Sequence, residues 1–175
     1  YDRLTDAIEV FAHDSLVATP GTRYSYSSYG FNLIGAAIER RLGVPFPAAM
    51  REQVLQPLGL TSIVPDAADA KPVARATLYA VSKGTVSQAP EDDLSGRWPS
   101  GGYLASTDDL AKFGESVLAP GLLDAHSLHE MLTPQHLASG AATTVGIGWR
   151  IGRDSLAGPF YHHGGSSNGG SAFLL

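Results

Sequence analysis

The sequence predicts an α+β fold in which a helical region is followed by an antiparallel sheet. Before about residue 144, outside a loop from Thr61 to Gly101, apolar residues recur at helical spacing, and then the period changes to short strand-like runs between glycine-rich turns. Connections that short join antiparallel strands, whereas parallel ones need a long crossover. The chain also carries 20 Gly and 11 Pro in 175 residues, a supply of turns that a helix bundle does not need. One partial domain is expected over residues 1–175, with 1–144 mainly helix and loop and 145–175 strands.

In chain order, Leu4, Ile8 and Phe11 share a helical spacing, which predicts a helix within Asp2 to Asp14. Thr19-Pro20-Gly21-Thr22 marks a turn before a short aromatic stretch, Arg23 to Tyr26. Ser27 or Ser28 can cap the next helix, whose predicted apolar face is Leu33, Ile34, Ala37, Ile38 and Leu42. Arg40 and Arg41 near its end and Gly43 beyond suit the dipole and a C-terminal cap. Phe46 to Leu55 reads as another short helix. From Thr61 to Gly101, Pro65, Pro72, Pro90 and Pro99 suggest a long surface loop with a hairpin around Lys83-Gly84. Ser106 or Thr107 caps a helix with Asp108 and Asp109 in its first turn and Leu110, Phe113, Val117 and Leu118 as its buried stripe. Asp124 to Leu132 is a further short helix. Val145–Ile151, Phe160–His163 and Ser171–Leu175 are the predicted strands. The last is an apolar run with no polar tail, so the chain reads as an internal piece of a longer protein whose sheet edge, uncovered, invites self-association.

Composition removes several functions. Net charge is −5, only three residues are Lys, and no basic run appears. A nucleic-acid partner, which needs a basic stripe against phosphates, is therefore not expected. No apolar stretch reaches the roughly 20 residues of a membrane span. With no cysteine, disulfides, thiolate catalysis and iron–sulfur clusters are removed, and no cofactor is expected.

Some motifs weaken on inspection. Gly165-Ser166-Ser167-Asn168-Gly169 matches a G-x-S-x-G elbow, but a strand-like run follows it and no acid or His lies beyond Ser167, so it reads as a hairpin turn. Adjacent residues on a strand face opposite ways, so His162 and His163 cannot easily grip one ion. His126 and His129 can share a helix face but lack an evident third ligand, and no metal is expected. Asp108 and Asp109 complement a helix N-terminus, and Glu91-Asp92-Asp93 reads as a solvated loop.

Three segments remain. Pro20 to Leu60 carries P-G-T-x-(aromatic)-x-Y-S-x-x-G-(aromatic)-x-L-x-G and ends in P-L-G-L. Gly101 to Phe113 carries G-G-x-x-S-T-x-x-D-L-x-x-F, and Tyr161 to Gly165 is a histidine strand ending in two glycines. In this order they resemble the class C-type serine β-lactamases and penicillin-binding-protein-like hydrolases, in particular the β-lactamase-related esterases and D-peptidases. The resemblance implies a partial β-lactamase/transpeptidase-like fold and a small-molecule substrate with an amide, ester or β-lactam carbonyl. It is compatible with a periplasmic or secreted protein, although the residues themselves fix no compartment.

Such enzymes attack a carbonyl with the serine of an S-x-x-K motif, with Lys and a Tyr sharing the proton transfer. By resemblance Tyr26 is the base or proton relay. Ser28 stands where the family often has Asn and contacts substrate. His162 takes the place of the strand's Lys or His, facing the Tyr26 hydroxyl, with His163 turned to the other face. Gly164 and Gly165 let substrate backbone approach, the Gly165 N–H being one oxyanion donor. The departure is large: the residues three before Lys71, Lys83 and Lys112 are Ala68, Ala80 and Asp109, so no S-x-x-K occurs. The expectation is that nucleophilic Ser and Lys lie upstream, outside this chain. Two alternatives are a non-catalytic homologue kept as a binding or scaffold module, and a metal-dependent hydrolase using His126, His129 and one of His162 or His163.

Overall fold

The computed structural model describes residues 3–67, 75–90 and 92–175. Elements run as α1 (Leu4–Ile8), α2 (Ser28–Leu42), α3 (Phe46–Met50) with a π-helical turn at Arg51–Leu55, β1 (Val64–Pro65), β2 (Tyr79–Ser82), β3 (Thr85–Gln88) and α4 (Trp98–Gly101). Then follow β4 (Tyr103–Leu104), α5 (Thr107–Leu118), α6 (Ala125–Leu132), β5 (Arg150–Asp154), β6 (Gly158–Ser167) and β7 (Gly170–Leu174). Helices come first and a three-stranded sheet, in the order β5-β6-β7, comes last.

The helix expected within Asp2 to Asp14 is only five residues long. No basic residue or glycine cap stands at its end, and separate turns continue to Asp14. α2 is capped as expected: the Ser27 hydroxyl accepts from Gly30 N–H at 3.2 Å, and Gly43, at φ +73°, closes the other end. Its buried face is only partly the expected one: Ile38 packs against the core. Leu33 and Ile34 are 51% and 56% exposed, while Asn32 and Ala36 are 3% and 4% exposed. The reason is close packing at Gly35, where an added Cβ would stand 2.2 Å from Pro99 Cγ and 2.9 Å from Leu4 Cδ1. α2 therefore turns its smallest residues, not its largest, towards α1 and α4. Leu4, Ala36 and Phe46 form the core there, with Ile8, Ile38, Met50, Trp98 and Tyr103 against them. Glu39 on α2 ties two neighbouring helix starts, accepting Leu4 N–H at 3.1 Å and Phe46 N–H at 2.8 Å.

The expected hairpin is present. Tyr79 pairs with Gln88 and Ser82 with Thr85, and Lys83 and Gly84 both have positive φ, +48° and +81°, as a two-residue type I′ turn requires. The surrounding loop is anchored by Asp66, a buried carboxylate held by Arg75 at 2.6 and 3.0 Å. Pro72 and Glu91, also assigned to that loop, lie outside the described residues. Ser106 caps α5, its hydroxyl accepting Asp109 N–H at 3.2 Å. Asp109 does more than complement the dipole, since its carboxylate is buried and accepts Ser62 N–H at 2.7 Å. Of the stripe expected on α5, Val117 is buried but Leu118 is 57% exposed. On α6, Asp124 is the cap, accepting Ser127 N–H at 2.7 Å.

The sheet starts later than the Val145–Ile151 run suggests. Val145 makes an isolated antiparallel bridge to Arg150, residues 146–149 form a turn between them, and β5 pairs antiparallel with β6 from Arg150↔His162 to Asp154↔Gly158. Gly146 and Gly148 within that run are the cause, because glycine interrupts strands. The two residues Asn168-Gly169, the latter at φ +76°, connect β6 to β7, so the G-x-S-x-G match is a hairpin turn. Contacts group the described residues into two compact units. One comprises those of 1–14, 27–110 and 165–172; the other 15–26, 111–164 and 173–175.

Candidate active site

Of the expected site residues, Tyr26, His162 and Gly164 belong to the second unit, and Ser28 and Gly165 to the first. Tyr26 ends the extended aromatic stretch and is 48% exposed. Among the described residues the His163 ring lies near it, at 6.4 Å between centroids and 56° between planes. From that spacing a phenol oxygen and a ring nitrogen can meet directly or through one water.

This corrects the expected partner of Tyr26. Alternation does put the two histidines on opposite faces of β6, but with the faces exchanged. His162 is stacked with Phe160 (5.7 Å, 30°) and with Phe173 (5.2 Å, 28°). Its Nδ1 is buried without a hydrogen-bond partner among the described residues. Aromatic neighbours on the same face of β6 and on β7 thus claim His162, and His163 is left for Tyr26. The Nδ1 atom of His163 is hydrogen-bonded to the carbonyl of Gly148, in the turn before β5.

The other expected residues occupy the places that their elements dictate. Ser28 is the exposed first residue of α2, next to the cap Ser27. Gly164 and Gly165 are exposed in β6, and a Cβ at Gly165 would meet nothing within 4 Å, so that side of the strand is open to a ligand. The first unit also holds a polar cleft lined by Asp66, Arg75, Asp92, Ser167 and Asn168, where Asn168 donates to Asp92 at 3.1 Å. The sequence reading turned His163 away from Tyr26 and did not single out the Gly148 carbonyl beside it. The pair of glycines in Gly146-Ile147-Gly148-Trp149 was the available signal that this stretch turns.

A family model described as Beta-lactamase matches residues 1–175. The chain belongs to the beta-lactamase family. Over 119 residues it is 28% identical to the human serine beta-lactamase-like protein LACTB, mitochondrial, covering 67% of this chain and 22% of that protein. Among solved structures, a penicillin binding protein from Bacillus halodurans superposes with TM-score 0.81 at 25% identity, over 98% of this chain and 52% of that one. A D-stereospecific amidohydrolase from Streptomyces sp. gives TM-score 0.77 at 25% identity, over 89% and 47%. The chain therefore spans about a fifth of the curated relative and about half of the solved structures. Beta-lactamase-family members of this kind are the α+β proteins that the ordered Tyr26, Gly101 and β6 segments resemble, and the fold agrees.

Proposed function

We propose that this chain supplies the tyrosine and histidine-strand side of an acyl-transfer site, which hydrolyses an amide, ester or β-lactam through an acyl-serine. The nucleophilic Ser and its Lys are assigned to sequence outside these 175 residues, since no S-x-x-K lies within them. The observation that carries this reading is the half-exposed Tyr26 ring beside the strand-borne imidazole of His163. A serine hydroxyl attacking the substrate carbonyl must lose its proton, and Tyr26 is the group that takes it. His163 then has the role first given to His162. Gly164, in the same unit as Tyr26 and His163, is assigned to the substrate's flank. An amide is the first substrate to try, because a solved neighbour at 25% identity is a D-stereospecific amidohydrolase.

The test uses the complete reading frame, assayed on D-amino-acid amides, p-nitrophenyl esters and a chromogenic cephalosporin. Tyr26→Phe should lower kcat by roughly 10²–10⁴ with little change in KM, the loss expected for a missing proton-transfer group. Retention of kcat within threefold would remove Tyr26 from the chemistry. The 175-residue chain alone should take up no fluorophosphonate, and a covalent adduct on any of its serines would relocate the nucleophile.

A further inference from the structure

A carbonyl oxygen has only lone pairs to offer, so the bond between Gly148 and His163 requires the proton on Nδ1. In a neutral imidazole that choice leaves the lone pair on Nε2. The tautomer of the ring beside Tyr26 is therefore set by a backbone atom, and the turn carrying that atom has two glycines with different duties. Gly148 has φ +79°, and a Cβ on it would meet nothing within 4 Å. Glycine is needed there for backbone conformation and not for space. At Gly146 the need is space: a Cβ would stand 2.1 Å from the carbonyl oxygen of Met131.

The turn is also anchored. Ile147 N–H donates to the Met131 carbonyl at 2.9 Å, and Gly146 N–H donates to the Trp149 carbonyl at 2.8 Å. Met131 lies in the last turn of α6, where carbonyls have no partner within the helix. A continuous path thus runs from the C-terminal end of α6, through the turn, to His163. Every residue on it lies in the same compact unit.

We propose that the Gly146–Trp149 turn is a positioning element for acyl transfer, its Gly148 carbonyl holding the Nδ1 proton of His163 so that Nε2 serves as acceptor for the Tyr26 phenol. When Tyr26 passes its proton on, the Tyr26 O–H bond breaks and an Nε2–H bond forms. The imidazolium keeps its Nδ1–H on Gly148, and the phenolate can then take the proton of the attacking hydroxyl. This role rests on the acyl-transfer reading above, whereas the tautomer itself does not.

The two are separated by measuring them independently in the complete protein labelled with ¹⁵N-histidine. Side-chain nitrogen–proton correlation spectra of the unaltered protein, at a pH where His163 is neutral, should show a protonated Nδ1 and an unprotonated Nε2. The opposite pattern would overturn the proposal without any appeal to activity. Gly148→Ala, strained at positive φ, should move population to the Nε2–H form and lower kcat by about 10- to 100-fold with KM changed less than about twofold, well short of the roughly 10⁴-fold loss known for a wrong tautomer in a catalytic triad. Gly148→Asn, which tolerates that backbone region better, should restore both readouts towards the original. A tautomer change with kcat untouched would overturn the positioning role. If instead the tautomer is as described but Tyr26→Phe has no effect, the reading of the reaction fails and the Nδ1–H assignment stands.

Discussion

Replacing Glu39 tests whether one side chain organises the helical part of the first unit. Its two carboxylate oxygens serve different helices: Oε2 accepts Leu4 N–H at 3.1 Å, and Oε1 accepts Phe46 N–H at 2.8 Å. Leu4 and Phe46 are the first residues of α1 and α3, whose opening N–H groups have no partner inside their own helices. A negative charge at two helix starts is also favoured by their dipoles. Neither helix has a capping side chain at its N-cap residue, Arg3 or Pro45. Hydrogen bonds to a charged group contribute about 1.5–3 kcal/mol each. With both partly buried and so partly screened, Glu39→Ala should cost about 2–4 kcal/mol, leaving two donors unpaired. Glu39→Gln keeps one acceptor oxygen and should cost about half of that. Urea unfolding followed by far-ultraviolet circular dichroism reads both. For a chain of this size about 3 kcal/mol corresponds to a Tm lower by about 6–12 °C. If both variants unfold within about 0.5 kcal/mol of the parent, Glu39 is not the shared cap and the argument is wrong.

Gly35→Ala should destabilise by about 1–3 kcal/mol in the same urea assay, because the new methyl overlaps Pro99 and Leu4; an unchanged midpoint would refute the close packing of α2. Burial pushes the Tyr103 phenol up to about 12, so the folded chain keeps this proton longer than the unfolded one. Stability from this group is therefore complete below about pH 10 and lost as pH rises from 10 towards 12, with a slope of at most ~1.4 kcal/mol per pH unit, reduced by partial exposure. Tyr103→Phe should flatten that part of a stability–pH curve.

Elements were legible wherever a local rule sufficed. The α2 serine cap, the Gly43 stop and the Lys83-Gly84 hairpin each follow from one or two residues whose backbone demands are specific. What failed needed knowledge of distant partners. The face of α2 was misread because hydrophobic periodicity assumes that the largest residues face inward, whereas Pro99 sits too close for anything larger than glycine at position 35. Asp109 reads from sequence only as a complement to a helix N-terminus and Asp66 is not singled out, whereas Ser62 N–H and Arg75, neither of them a sequence neighbour, make them buried acceptors. In the candidate site Tyr26 could be singled out from its motif, but the ring beside it could not.

The histidine pair shows why. Period-two alternation guarantees that His162 and His163 face opposite ways, and it is silent on which face meets Tyr26. That choice is made by residues of no catalytic character. Phe160 lies two positions before His162 on the same face, and Phe173 joins them from β7, so His162 completes an apolar stack at the cost of a buried Nδ1 with no partner among the described residues. His163 finds a carbonyl for its Nδ1 instead, and with it a defined tautomer. An imidazole without a hydrogen-bond partner on Nδ1 has nothing to fix its proton, whereas one held by Gly148 can present a single nitrogen to a tyrosine. Two chemically identical side chains, one peptide bond apart, are thus separated into a packing residue and a polar one by a phenylalanine pair and a glycine turn. Phe160→Ala should accordingly disturb His162 and sheet stability while leaving the His163 tautomer in place; a His163 that loses its Nδ1 proton in that variant would mean that the stack, and not the turn, holds the ring.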